Sequence, residues 1–175
     1  MKGASDTVVI GLGNVVMSDD GLGVHAVARL RESGRLADAV ELIEGGTAGL
    51  LLLPHLADAP RAIIIDAVRA GARAGTLVRL DADGLARVFE RHISPHDVGL
   101  RDLLGAARLS GAWPSALVLH GIEPAVTRVG TELSPPVEAS LDALVDAVVA
   151  ELDGWDRSLL AGAAPSSVTE AAACA

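Results

Sequence analysis

The chain has almost no aromatic side chains, a single cysteine and no long apolar run. Phe89, Trp113 and Trp155 are the whole aromatic set among 175 residues. With half the residues apolar, the core must therefore be built from Leu, Val, Ile and Ala. One cysteine, Cys174, excludes a disulfide framework within the chain and fits a reducing compartment. So close to the chain end, where residues are rarely held rigidly, it makes a poor nucleophile. Positive charge is also scarce: 14 Lys and Arg stand against 23 Asp and Glu, a net charge of -9. That balance argues against a nucleic-acid partner, whose phosphates need clustered cations. Residues 1–6 carry no apolar h-region, so no secretory signal is expected. The apolar runs at 49–53 and 62–65 fall far short of the roughly 20 residues that span a bilayer. These absences lead us to expect a cytoplasmic protein with no membrane and no nucleic-acid partner.

What is present is enough chain for one compact α/β domain. Residues 7–10 read as a short buried strand that runs into Gly11-Leu12-Gly13-Asn14. Apolar residues then recur at Leu22, Val24, Val27 and Leu30, the spacing of a helix over 22–32 that stops at Gly34. A second strand is expected at 40–43, then a helix from Ala48 to about Leu53, capped by Thr47 and ended by Pro54. Residues 61–65 are Ile-rich enough for a central strand covered on both faces. Only about nine residues separate Asp66 from the next strand, 76–80, and a parallel crossover needs a dozen or more. That strand should therefore run antiparallel to its neighbour. Helices at 82–90 and about 100–109, a strand at 116–119, and a last helix from Ser134 and Pro135 to about Leu152 complete the pattern. The fold class is α/β: a mostly parallel central sheet with one antiparallel strand and helices on both faces. Residues 1–153 form one domain in this reading, and the Ala-, Ser-, Gly- and Pro-containing stretch 154–175 is expected to be a disordered tail. Truncation after Gly154 should then leave folding unchanged.

In such sheets ligands bind at the carboxyl ends of the strands. The residues expected there are Asn14, Asp19 and Asp20 after the first strand, Glu44 to Thr47 after the second, Asp66 after the third, and His120, Gly121, Glu123 and Pro124 after the last. A separate loop holds Ser94, Pro95, His96 and Asp97. Each has an ordinary explanation. Gly11-x-Gly13 suits a tight strand-to-helix turn. Asp19 and Asp20 suit the first turn of a helix. Asp66 suits a solvated strand end, and His96 a surface loop. His25, His55, His92 and His120 read as structural, with His120 near enough to the sheet edge to stay a candidate.

Several specific chemistries are excluded. The third glycine of a dinucleotide fingerprint would fall at position 16, which is Val16, and no phosphate loop with Gly-Lys-Ser or Gly-Lys-Thr occurs. Neither His-Glu-x-x-His nor Gly-x-Ser-x-Gly is present. Two carboxylates and an imidazole together would suit a borderline divalent cation or acid–base work, and the residue types alone carry the reading no further.

The ordered motifs carry it further. Gly11-Leu-Gly-Asn14 and Asp19-Asp20-Gly21-Leu-Gly23 are followed by Glu44-Gly-Gly-Thr47-Ala-Gly49, Asp66-Ala67, Ser94-Pro-His96 and Gly121-Ile-Glu-Pro124. Together they resemble the hydrogenase maturation endopeptidases over roughly residues 8–152. Two positions depart from the family's usual pattern: Asp20 stands where relatives often have Glu, and Glu44 where they often have Asp. The resemblance implies an α/β sandwich and a catalytic, metal-contacting trio at Asp20, Asp66 and His96. It implies an endopeptidase that removes the C-terminal extension of a nickel-iron hydrogenase large-subunit precursor after nickel insertion. Nickel would be contacted in the substrate, as a check on loading, with no permanently bound organic cofactor. A metal could polarise the carbonyl or activate a water, or Asp20 or Asp66 could act as general base; both routes fit these residues. Two other readings are a metal-sensing accessory that docks to the large subunit without hydrolysis, and a small-molecule hydrolase.

Overall fold

A computed structural model describes residues 6–91 and 97–160. Five strands form one sheet in the order β2-β1-β3-β5-β4: β1 (Thr7–Leu12), β2 (Val40–Gly46), β3 (Arg61–Ala67), β4 (Leu77–Asp81) and β5 (Ala116–Ile122). The helices are α1 (Leu22–Ser33), α2 (Leu53–Ala57), α3 (Ala82–Arg91), α4 (Asp97–Ser110) and α5 (Pro135–Leu160), with short 3-10 turns at Ser18–Gly21 and Gly49–Leu52. β1 pairs in parallel with β2 and β3, and β3 with β5, while β4 pairs antiparallel with β5. The short link from β3 to β4 has this outcome because it cannot hold a crossover helix.

The two-residue period of a strand sends alternate side chains to opposite faces, and here each face has its own core. Ile63 and Ile65 of β3, with Val9, Val118 and Ile122, pack against α1 and α5. Ala62 and Ile64, with Val8, Ile10, Leu117 and Leu119, pack against α2, α4 and Leu85 of α3. Ile63, Ile64 and Ile65 are all fully buried, as expected for a central strand covered on both sides. Burying one such side chain contributes about 1.5–3 kcal/mol.

Several boundaries differ from the sequence expectation. The parallel strands run two or three residues further at their carboxyl ends, so Glu44, Asp66 and His120 sit within strands. Gly121 serves close approach within β5: a Cβ there would lie 2.4 Å from the Asp66 carbonyl oxygen. Pro54 does not end a helix but occupies the first turn of α2, where its missing N–H is not needed. Finally, α5 continues past Gly154 to Leu160. Trp155 is buried in the α1–α5 core, with the Arg61 guanidinium 5.9 Å from its ring centre, and Arg61 also pairs with Asp156 at 2.8 Å. Burial of the indole outweighs the roughly 1 kcal/mol that a glycine costs inside a helix. Residues 161–175, the rest of the expected tail, lie outside the described residues.

Truncation after Gly154 therefore removes part of the core. Trp155→Ala is expected to cost about 3 kcal/mol, which lowers the thermal midpoint by roughly 6–12 °C for a chain of this size. A midpoint within a degree of wild type in differential scanning calorimetry would show that Trp155 contributes nothing to stability.

Candidate active site

The site is built at the carboxyl ends of β1, β2 and β3. Leaving β1, the chain turns at Gly13, whose φ of +112° is open to glycine and few other residues. The approach is close as well: a Cβ on Gly13 would lie 1.7 Å from the Asp20 carbonyl oxygen, and one on Gly23 would lie 2.2 Å from that of Ile65. Bare backbone at these points lets the start of α1 rest directly on the sheet. The ordinary explanation of the Gly-rich opening, a tight strand-to-helix connection, therefore holds, and it also brings Asp20 to the end of β3.

Asp19 and Asp20 divide the labour. Asp19 is fully buried. Its carboxylate accepts from the Ala125 amide (2.8 Å), the Val126 amide (2.9 Å), the Ser134 amide (2.6 Å) and the Ser134 hydroxyl (2.8 Å). It caps no part of its own helix; it holds residue 134, which opens α5. Burial alone would raise its pKa, but the Ser134 and Val126 amides, the Ser134 hydroxyl and the Ala125 amide together outweigh that and hold it below the ordinary carboxylate range.

Asp20, also buried, accepts from the Asn14 amide at 2.9 Å and lines a cavity of about 310 Å³. Asp66, at the end of β3, accepts from the Ala67 amide at 2.8 Å and lines the same cavity. Much of the remaining wall is backbone: Gly13, Gly46, Gly49 and Gly99, with Leu100 and Leu103 of α4 beside them. Two carboxylates opening on one small cavity offer hard oxygen donors for a divalent cation and acceptors for a proton. His96, the expected third member, lies outside the described residues. Among the described residues, no group of three His, Cys, Asp or Glu could hold a metal ion.

The alternation of β5 removes His120 from the site. Leu117 and Leu119 face α4, so His120 faces α5 with Val118 and Ile122. Its Nε2 lies 3.2 Å from Glu151, which takes two hydrogen bonds from Arg79 at 2.7 and 2.9 Å. Burial pushes the Glu151 carboxyl up, but its bonds to Arg79 and His120 and their charge prevail and bring it down to about 2. Asp66 follows Ala62 and Ile64 to the α4 face, so the sheet itself separates it from His120. Glu44 also turns outward, to an ion pair with Arg31. Glu123 accepts from the Ala70 and Ala72 amides at 2.7 and 3.1 Å and so pins the loop after β3. Sequence reasoning did not find the α4 contribution to the wall. Gly99, Leu100 and Leu103 look in sequence like any helical stretch, and only the packing of α4 beside Gly49 reveals them.

Comparison with known proteins agrees with this geometry. A family model described as hydrogenase maturation protease matches residues 24–151. The chain belongs to the hydrogenase maturation protease family. Among members of this family, it is 37% identical to the hydrogenase 2 maturation protease of Escherichia coli K12, over 83% of this chain and 89% of that protein. It is 38% identical to the hydrogenase expression/formation protein HupD of Rhodobacter capsulatus, over 91% and 77%. The solved structure of the hydrogenase maturating endopeptidase HybD from E. coli superposes with a TM-score of 0.77 at 35% identity, covering 85% of this chain and 92% of that one. The mixed five-stranded sheet is thus the maturation-protease fold.

The two depressed carboxyls fix a pH dependence. Each contributes stability in full above its unfolded pKa, about 3.9 for Asp and 4.3 for Glu, and loses it as pH falls through the lower folded value. Asp19→Asn and Glu151→Gln should each flatten the decline in stability as pH falls below about 4, for Glu151 down to about pH 2. Urea midpoints measured across that interval check this; slopes parallel to wild type would mean that neither carboxylate is linked to folding.

Proposed function

We propose that this chain is an endopeptidase that removes the C-terminal extension of the nickel-loaded large-subunit precursor of a nickel-iron hydrogenase. One observation supports this most: in a member of the maturation-protease family, Asp20 and Asp66 both line one small cavity. In this reading nickel belongs to the substrate, held there by cysteines. Asp20 and Asp66, with His96, contact it with oxygen and imidazole donors, which suit a borderline cation, and so admit only a loaded precursor. Hydrolysis needs a proton acceptor for the attacking water and a donor for the leaving amine, and an aspartate at the cavity wall can serve as both in turn. The apolar wall of Leu100 and Leu103 limits competing water and strengthens the charges inside. No helix among the described residues is long and apolar enough to cross a membrane, and the single cysteine fits work in the cytoplasm.

The test is the intact mass of a matching precursor, with and without nickel, before and after incubation with this protein. The expected result is loss of the extension from the loaded form only. Asp20→Asn and Asp66→Asn should each slow that loss by about 10²–10⁴-fold, the range of general acid–base groups, with the thermal midpoint still cooperative. Unchanged processing in both variants would refute their role. Tight binding with no change of mass would identify a non-hydrolytic accessory instead.

A further inference from the structure

Seven large hydrophobic side chains are exposed among the described residues, and five of them lie on segments that leave the cavity wall or are bonded to one. Val15 and Val16 follow Gly13 of the cavity wall. Val129 is joined to them, because the neighbouring Gly130 amide donates to the Val16 carbonyl at 3.0 Å. Leu50 and Leu51 follow Gly49, which lines the cavity from another side. Only Leu77 and Leu109 lie apart. Single exposed hydrophobics are normal on any surface, whereas a gathering of them marks an interaction site.

Both segments are held firmly. The Val16 amide donates to Asn14 Oδ1 at 3.1 Å. Ser18 adopts a φ of +50°, which is rare for a residue with a side chain. Its amide donates to the Gly130 carbonyl at 2.7 Å and its hydroxyl to that of Arg128 at 3.1 Å. On the other side, the Ala48 amide donates to Gly45 and that of Leu51 to Ala48, while Leu52 and Leu56 are buried beneath. These apolar groups are displayed on fixed backbone, so covering them requires little new ordering.

The cavity identifies what covers them. At about 310 Å³ it lies at the lower end of small-ligand sites. It can take the residues beside a scissile bond, while the rest of a protein substrate must lie on the rim. We propose that Val15, Val16 and Val129 on one side and Leu50 and Leu51 on the other form the docking surface for the large-subunit precursor, and that they cover an apolar stretch flanking the bond presented to Asp20 and Asp66. The inference rests on the endopeptidase reading for its occupant and adds where that occupant is gripped.

The experiment is steady-state processing of the nickel-loaded precursor by the full chain and by Leu51→Asp, Val129→Asp and their double variant. The two positions are 79% and 84% exposed, so thermal midpoints should match wild type; Leu51→Ser and Val129→Ser replace any variant that does not fold. Leu109→Asp is the control. It is 93% exposed and sits ten residues along α4 from Gly99, about 15 Å at the helical rise. Each rim variant should raise KM about tenfold with kcat unchanged, and the control should do neither. Normal KM in the rim variants beside an active wild type would overturn the docking surface and leave the endopeptidase reading intact. If wild type leaves the precursor's mass unchanged, the endopeptidase reading fails, and the Kd for the same precursor decides the rim: about tenfold weaker binding in the rim variants upholds it, and equal or absent binding overturns it.

Discussion

The buried carboxylate of Asp19 is the constraint on which the site depends. A charge removed from water is tolerable only when its lone pairs are satisfied, and here four donors from residues 125–134 satisfy it. The clamp joins the turn after β1 to the loop after β5 and to the residue that opens α5, a span of more than a hundred residues in sequence. It acts where the start of α1 meets the sheet, with Gly23 backbone against β1 and β3 and Leu22 buried in the core beside it. Once Asp19 is fixed, its neighbour Asp20 is directed to the cavity. Adjacent aspartates thus do different work: Asp19 is spent entirely within the fold, and Asp20 lines the cavity.

The sheet performs a second separation. Period-two alternation delivers Asp66 to the α4 face and His120 to the α5 face from neighbouring strands that pair in register. On the α5 face His120 joins Glu151 and Arg79, a group that runs from the buried imidazole to an exposed guanidinium and whose members satisfy one another. Such networks position secondary structure when complete and are costly when broken. A chain of net charge -9 can therefore bury several acids without loss, provided each has its own donors: backbone amides for Asp19 and Glu123, a guanidinium for Glu151.

Much of this was legible in the sequence because local patterns carried it. The Ile-rich run before Asp66 announced a central strand, the short link to β4 required an antiparallel strand, and Ser134 with Pro135 marked the start of α5. The catalytic reading of Asp20 and Asp66 came from ordered motifs and family resemblance. What was not legible depends on contacts distant in sequence. Nothing near Asp19 says that its donors lie more than a hundred residues away, and nothing near Gly99 says that it faces Gly49. Residues 154–175 read as a tail on composition, and the burial of Trp155 extends the helix into them as far as Leu160. β5 continues through Gly121 because a bare Cα there lets the Asp66 backbone approach.

The rigidity of the rim follows from the same economy of side chains. For the proposed docking of a protein substrate, a mobile loop would be a handicap, because its ordering would consume binding energy. Ser18 shows how the loop is held instead. Its left-handed backbone is a state of order 1–3 kcal/mol above the ordinary regions, and it persists because the amide and hydroxyl both find carbonyls on residues 128 and 130. Gly130 is bound into the arrangement by sterics as well, since a Cβ there would lie 2.8 Å from the Ser18 hydroxyl oxygen. Those bonds fix the strip of backbone that begins at the cavity wall and ends at the Asp19 clamp, so Val15, Val16 and Val129 are tied to the same segment as Asp20. Gly13, Asp20 and the strip that carries Val15 and Val16 thus share one frame, the geometric condition that the proposed cleavage of one bond in one partner requires.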